Sequence, residues 1–140
     1  MPDGNNSDLE LFYQQVQITG KLRTVEHAKR WTRGVLQTLG TSLNRGTKRA
    51  LGKTLPKELS EHLYSVFWLL HFRDSTLTSH DFRLRAARRS GNSDVEFAVY
   101  PTLGVFAAIK SLIDIDLDQR ISDSLSPEVR QMWEASSESN

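Results

Sequence analysis

TVEHAKRWTRGVLQTLGTSL, residues 24–43, is a helix written in apolar spacing. Ala28, Trp31, Val35, Leu39 and Leu43 recur at every third or fourth position, while Lys29, Arg30, Arg33 and Gln37 fall mostly on the other side. Only a chain turning at about 3.6 residues gathers such positions on one face. Thr24 stands where a hydroxyl can cap the first free backbone N–H groups. Seventy positions on, DVEFAVYPTLGVFAAIKSLI, residues 94–113, keeps Val95, Glu96, Ala98, Thr102, Gly104 and Val105 in the places of Val25, Glu26, Ala28, Thr32, Gly34 and Val35.

The correspondence runs further in both directions. Residues 12–63 lie over residues 82–133 without a gap, adding Phe12/Phe82, Leu55/Leu125 and Glu58/Glu128 as identical pairs. Leu36/Phe106, Leu39/Ile109, Leu43/Ile113, Leu51/Ile121, Leu59/Val129 and Leu63/Trp133 keep only their apolar character. Apart from Glu26/Glu96 and Glu58/Glu128, the charged positions are not kept. A repeat that preserves core and helix punctuation while its surface diverges reads as a duplicated scaffold, not a duplicated active site.

Extending the same reading gives an all-α chain: two related helical halves forming one compact, bundle-like domain. Residues 1–8 read as a disordered lead, 9–72 as the first half, 73–80 as a linker, 81–134 as the second half and 135–140 as a disordered tail. Helices are expected over 9–18, 24–43, 47–53 and 56–72, then over 81–89, 95–112, 117–124 and from 127 onward. Gly20 is expected to close the first helix in a left-handed cap. Ser93 with Glu96 has the spacing of a capping box. Residues 95–100 also alternate like a strand, but the matching stretch from Val25 is helical, so helix is preferred. Pro101 falls inside that helix and predicts a kink, or two helices meeting.

Composition narrows the function classes. The chain has 140 residues, 38% apolar and 25% charged. That is enough for one soluble core without staples. It has no cysteine, which removes disulfides, thiolate metal sites and thiol catalysis. No apolar run exceeds five residues, against the ~20 needed to span a bilayer. The polar, acidic start does not read as a signal peptide, so the expected location is the cytoplasm. Net charge is +1, but residues 1–89 hold fifteen Lys or Arg against eight Asp or Glu, and residues 90–140 hold three against nine. This asymmetry is the main hint at a partner.

The first half carries FYQQVQ at residues 12–17, Ala28, RGVLQTLG at residues 33–40, Leu43 before a glycine-containing turn, and LPKEL at residues 55–59. These residues resemble the domain of unknown function 2267, a bacterial and archaeal helical family with an internal duplication. The resemblance covers residues 9–133. It implies the fold and no activity. The second half departs from the family pattern at Ser126, which stands where the family's proline would be, and at Pro101. The short helix is basic here, with Lys48, Arg49 and Lys53, where the family suggests an acidic or neutral one.

No catalytic, cofactor or metal residues are assigned. Asp114, Asp116 and Asp118 alternate as at the start of a calcium loop, but the sixth and twelfth positions hold Gln119 and Leu125 instead of the required glycine and glutamate. They read as turn formers and an N-cap. His62, His71 and His80 are nine residues apart, not the three or four that place ligands on one helix. No nucleophile elbow and no glycine-rich phosphate loop occurs. The chain therefore reads as a non-enzymatic module acting by protein–protein interaction or self-association. The alternative is nucleic-acid binding through the basic face of the first half, since phosphates need such donors. The candidate binding surface is Lys29, Arg30, Arg33, Lys48, Arg49 and Lys53, with Phe67 and Trp68 as an aromatic patch; Arg83, Arg85, Arg88 and Arg89 form a second cluster. Trp31 and Trp133 are expected in the core.

Overall fold

A computed structural model describes residues 4–66 and 76–136. Among the described residues there are helices and no strands: α1 (Gly4–Thr19), α2 (Val25–Ser42), α3 (Arg45–Thr54), α4 (Lys57–Tyr64), α5 (Ser79–Arg89), α6 (Val99–Lys110), α7 (Ile115–Ser124) and α8 (Pro127–Ser136). The alternating stretch before Tyr100 is not a strand; it is a turn leading into α6. The register of 70 recurs in the element boundaries, because α3 and α7 begin and end at positions differing by 70, and α4 and α8 start at positions differing by 70.

Each helix start has a local cause. The Thr24 hydroxyl accepts from the His27 N–H, Asn44 Oδ1 from Thr47, Thr78 Oγ1 from Asp81 and Asp114 Oδ1 from Leu117. Asn44 and Asp114 are again 70 apart, and Asp114 performs the capping expected of it. The Ser93–Glu96 box does not form. Asn92 Oδ1 accepts from the Ser93 and Asp94 N–H groups, and Asp94 Oδ1 accepts from Phe97, so the chain turns before it coils. The helix expected from Val95 therefore starts at Val99. Pro101 lies in its first turn, where a missing N–H costs nothing, so no kink is needed.

Other boundaries also shift. α1 reaches back to Gly4, into the expected lead. α4 stops at Tyr64, with Ser65 as its cap, and residues 67–72 of the helix expected there lie outside the described residues. α5 begins at Ser79, inside the expected linker. Gly20 is not the left-handed residue: Lys21 is, at φ 57°. Leu22 N–H bonds Gln17 C=O at 2.9 Å and Lys21 N–H bonds Ile18 C=O at 3.2 Å. This pair of bonds is a Schellman cap. Gly91, at φ 83°, closes α5 the same way, with Asn92 to Ala87 at 2.8 Å and Gly91 to Arg88 at 3.1 Å.

The halves are not side by side; they exchange helices. α1 packs on α6, α5 packs on α2, and α2 and α6 meet between them. Glycines allow both crossings. A Cβ on Gly34 would lie 2.2 Å from Ser90 Oγ and 2.6 Å from Ala86 O, at the end of α5. A Cβ on Gly104 would lie 3.0 Å from Gly20 N, at the end of α1, and Gly20 itself sits against Pro101. α4 closes on α2 and α3, α8 on α5, α6 and α7, and α3 packs against α7. One core results, with Leu36, Leu39, Leu59, Leu63, Phe82, Phe106 and Trp133 fully buried. Phe106 stacks edge-on between Phe82 and Trp133 at 5.6 and 5.1 Å, an arrangement that aromatic rings favour. Trp31 and Trp133 are core residues, as expected.

Candidate binding surfaces

Of the six basic residues singled out from the sequence, five are exposed, three on α2 and two on α3, and one is buried. Lys29 sits near the start of α2, 4.0 Å from Glu26 and 5.6 Å above the Tyr13 ring. Arg30 is exposed, and Arg33 reaches across to α5, donating to the Arg89 carbonyl oxygen at 3.4 Å. Arg49 and Lys53 are exposed on α3. α4 packs against both α2 and α3. Lys48 is not part of a surface at all: it is only 9% exposed. Its stem passes beside Gly40, where the missing Cβ makes room for the Leu63 carbonyl, and its ammonium lies 5.9 Å from the Tyr64 ring. Burial holds its pKa below the ordinary lysine value. Phe67 and Trp68 lie outside the described residues, as does His71.

The structure instead makes two charged surfaces. At the first, α3 and α7 lie side by side. α3 exposes Arg45, Arg49 and Lys53, each four residues apart and so on one face. α7 exposes Asp116 and Asp123, with Asp114 at its cap, and carries Ile115 at 83% exposure. The elements are tied to each other by uncharged groups: Asn44 Nδ2 donates to Ser124 Oγ at 2.7 Å, and Ser124 Oγ bonds Thr47 Oγ1 at 3.4 Å. Among the described residues, the cations of α3 form no ion pairs with the acids of α7.

The second surface lies at the α2–α5 crossing. Arg33 of the first basic cluster meets Arg89 of the second. Arg89 also donates to Thr38 Oγ1 at 3.1 Å. Burial, and then the neighbouring Arg85 charge, push the Arg89 guanidinium below its ordinary pKa. Sequence reading recorded both clusters and missed their union, because nothing in a single helix's spacing states that α5 packs on α2.

A cleft of about 430 Å³ opens between α1, α2 and α4, lined by Leu9, Tyr13, Val25, Lys29 and Glu58. The buried Tyr13 hydroxyl donates to the Glu58 carboxylate. Burial, with the Glu58 hydrogen bond and charge, pushes the phenol well above its ordinary value. A second cleft, of about 300 Å³, is lined by Ser79, Arg83, Val99 and Glu128, the positions 70 beyond Leu9, Tyr13, Lys29 and Glu58. There the glutamate accepts from the Ser79 N–H at 2.8 Å instead. The paired glutamates thus tie the first helix of each half to its fourth. His62, half-buried on α4, is held below its ordinary pKa chiefly by burial. Among the described residues no cluster of His, Asp and Glu could hold a metal ion, and no helix is long and apolar enough to cross a membrane.

A model of the family described as uncharacterized conserved protein (DUF2267) matches residues 10–132. The chain belongs to that family. The match takes in α2 to α7 whole and the greater part of α1 and α8, so it runs across both halves of the chain. Both charged surfaces of this DUF2267 protein lie within it. No curated protein matches the chain.

Proposed function

We propose that this DUF2267 protein is a non-enzymatic, cytoplasmic helical module, built by internal duplication, that acts by binding another protein or a second copy of itself. The α3–α7 edge carries this reading. It sets the basic face of α3 beside an α7 that exposes Asp116 and Asp123, with Arg120 and an exposed isoleucine on the same helix, and among the described residues no ion pair joins the two sets. A two-fold contact between copies would lay each basic α3 on the partner's acidic α7, satisfying both sets at once. The 70-residue register of caps and helix bounds supports the duplication.

The test is the oligomeric state across protein concentration and salt, joined to affinity purification from the native host with and without nuclease. A salt-sensitive dimer, or a stoichiometric protein that survives nuclease, is expected. Reversing Arg49 and Lys53 to Glu should release either partner. Adding D116K and D123K to that variant should restore a homodimer. A chain that stays monomeric and captures nothing sinks the reading, as does turnover of a metabolite panel. The alternative, nucleic-acid binding through the basic face of the first half, keeps Arg30, Arg33, Arg49 and Lys53 on the surface and loses Lys48 to burial.

A further inference from the structure

The arginines at the α2–α5 crossing exceed what the fold requires. Arg33 and Arg89 are in direct contact through the Arg89 carbonyl, and Arg85 lies one helical turn before Arg89 on the same face. None of the three has a carboxylate partner among the described residues. Arg30, one turn before Arg33, and Arg88, beside Arg89, are exposed and widen the positive region. Like charges gathered in this way work against folding, so packing alone does not account for them.

The twin crossing shows that directly. α1 packs on α6 as α5 packs on α2, with Gly104 in the place of Gly34 and Gly20 in the place of Ser90. At the positions 70 away from Arg33, Arg85, Arg88 and Arg89 stand Leu103, Gln15, Ile18 and Thr19. One crossing closes with no charge at these four positions, and the other places four arginines there. Arg33 and Arg89 also bridge the two helices by hydrogen bonds, but the twin crossing closes without such arginines, so their charge is left for what the surface meets.

We propose that the α2–α5 crossing is a phosphate-binding surface, made by Arg33, Arg85 and Arg89 from both halves of the chain, and that its occupant is the sugar–phosphate backbone of a nucleic acid. This inference rests on the nucleic-acid alternative but moves its site from the α2 and α3 residues of the first half to the crossing, with Arg33 common to both. A guanidinium presents its donors in a fixed fork suited to phosphate oxygens. The five arginines are spread over two crossing helices, and all but the half-buried Arg89 are exposed, which suits a chain of phosphates more than a single enclosed one. No helix-turn-helix or base-reading element accompanies them, so the binding is to backbone and indifferent to sequence.

The experiment measures affinity of the full chain for single-stranded and duplex oligonucleotides of mixed sequence across a salt series, with inorganic phosphate as competitor. The variants are R33Q and R85Q, both at accessible positions, with R23Q and K57Q, exposed and outside both charged surfaces, as controls of equal charge change. Expected is steep salt dependence, with the slope of log affinity against log salt falling by roughly one for each of R33Q and R85Q, and millimolar phosphate competing weakly. The controls should shift it little. Binding lost in the controls but kept in R33Q and R85Q would overturn the site and leave the nucleic-acid reading standing. No oligonucleotide binding would overturn both, and tight phosphate binding without oligonucleotide binding would overturn the occupant. Unchanged melting temperatures in R33Q and R85Q would show that the loss is not unfolding.

Discussion

Lys48 shows what one side chain's surroundings can hide. Its neighbours Arg49 and Lys53 are exposed, and in sequence the three look alike. The difference comes from its neighbours in space, because its stem lies beside Gly40 of α2 and its ammonium near the Tyr64 ring of α4. No spacing rule on α3 contains that information. Because burial lowers its pKa, the fold is penalised while Lys48 is charged. The unfolded chain binds the proton more tightly, so the penalty is complete below the folded pKa and fades as pH rises to the ordinary lysine value. K48M should therefore raise the melting temperature at neutral pH by roughly 2–6 °C, about the effect of 1 kcal/mol in a domain of this size. Its advantage over the parent should shrink when melting is repeated toward pH 10.5, the ordinary lysine value. An advantage that grows with pH would contradict the burial. Thr32 and Thr102, buried and 70 apart, have hydroxyl oxygens without a partner among the described residues. T32V and T102V should each be neutral to stabilising by about 1 kcal/mol in urea unfolding, since valine keeps the shape and removes an orphan polar atom.

Among the helices, the apolar period located every element correctly, and its ends were the least legible part. Caps depend on which of several polar residues turns inward. Asn92 and Asp94 took the role that Ser93 and Glu96 also fitted, and α6 began four residues late. Pro101 looked misplaced only because the helix was drawn too long. Gly20 looked like a left-handed cap, yet its role is close approach, and Lys21 carries the strained angle. The two glycine crossings separate these demands. G34A must displace the Ala86 carbonyl, a backbone atom at 2.6 Å, as well as Ser90 Oγ at 2.2 Å. It should destabilise by about 1–3 kcal/mol, the usual cost of overpacking. G104A meets nothing nearer than 3.0 Å. Alanine's better helix propensity, about 1 kcal/mol, offsets the small shift it needs. Urea midpoints should rank the parent and G104A close together and G34A well below. Equal losses would mean the two crossings are not packed as described.

At the scale of the molecule, amphipathic patterns say that each helix has a buried face but not which helix covers it. The repeat invites a picture of two self-contained halves, and the exchange of α1 and α5 replaces it. The same exchange unites Arg33 with Arg89, which is why the crossing surface was invisible from either cluster alone. It also makes each half dependent on the other for its core. Cut within the segment joining them, the fragment of residues 1–72 loses α6 from beside Val16 and Gly20, and the fragment of residues 73–140 loses α2 from beside Ala86 and Ser90. The second fragment suffers more, because α5 and α6 share little contact with each other while α1 and α2 share more. Each fragment alone should lack a cooperative thermal transition, with the second showing the lower helicity by circular dichroism. Mixed at equal concentration, they should regain a single transition and migrate as one species. A fragment that melts cooperatively as a monomer near the temperature of the whole chain would show that its core is complete without the other half, and the exchanged packing would have to be abandoned.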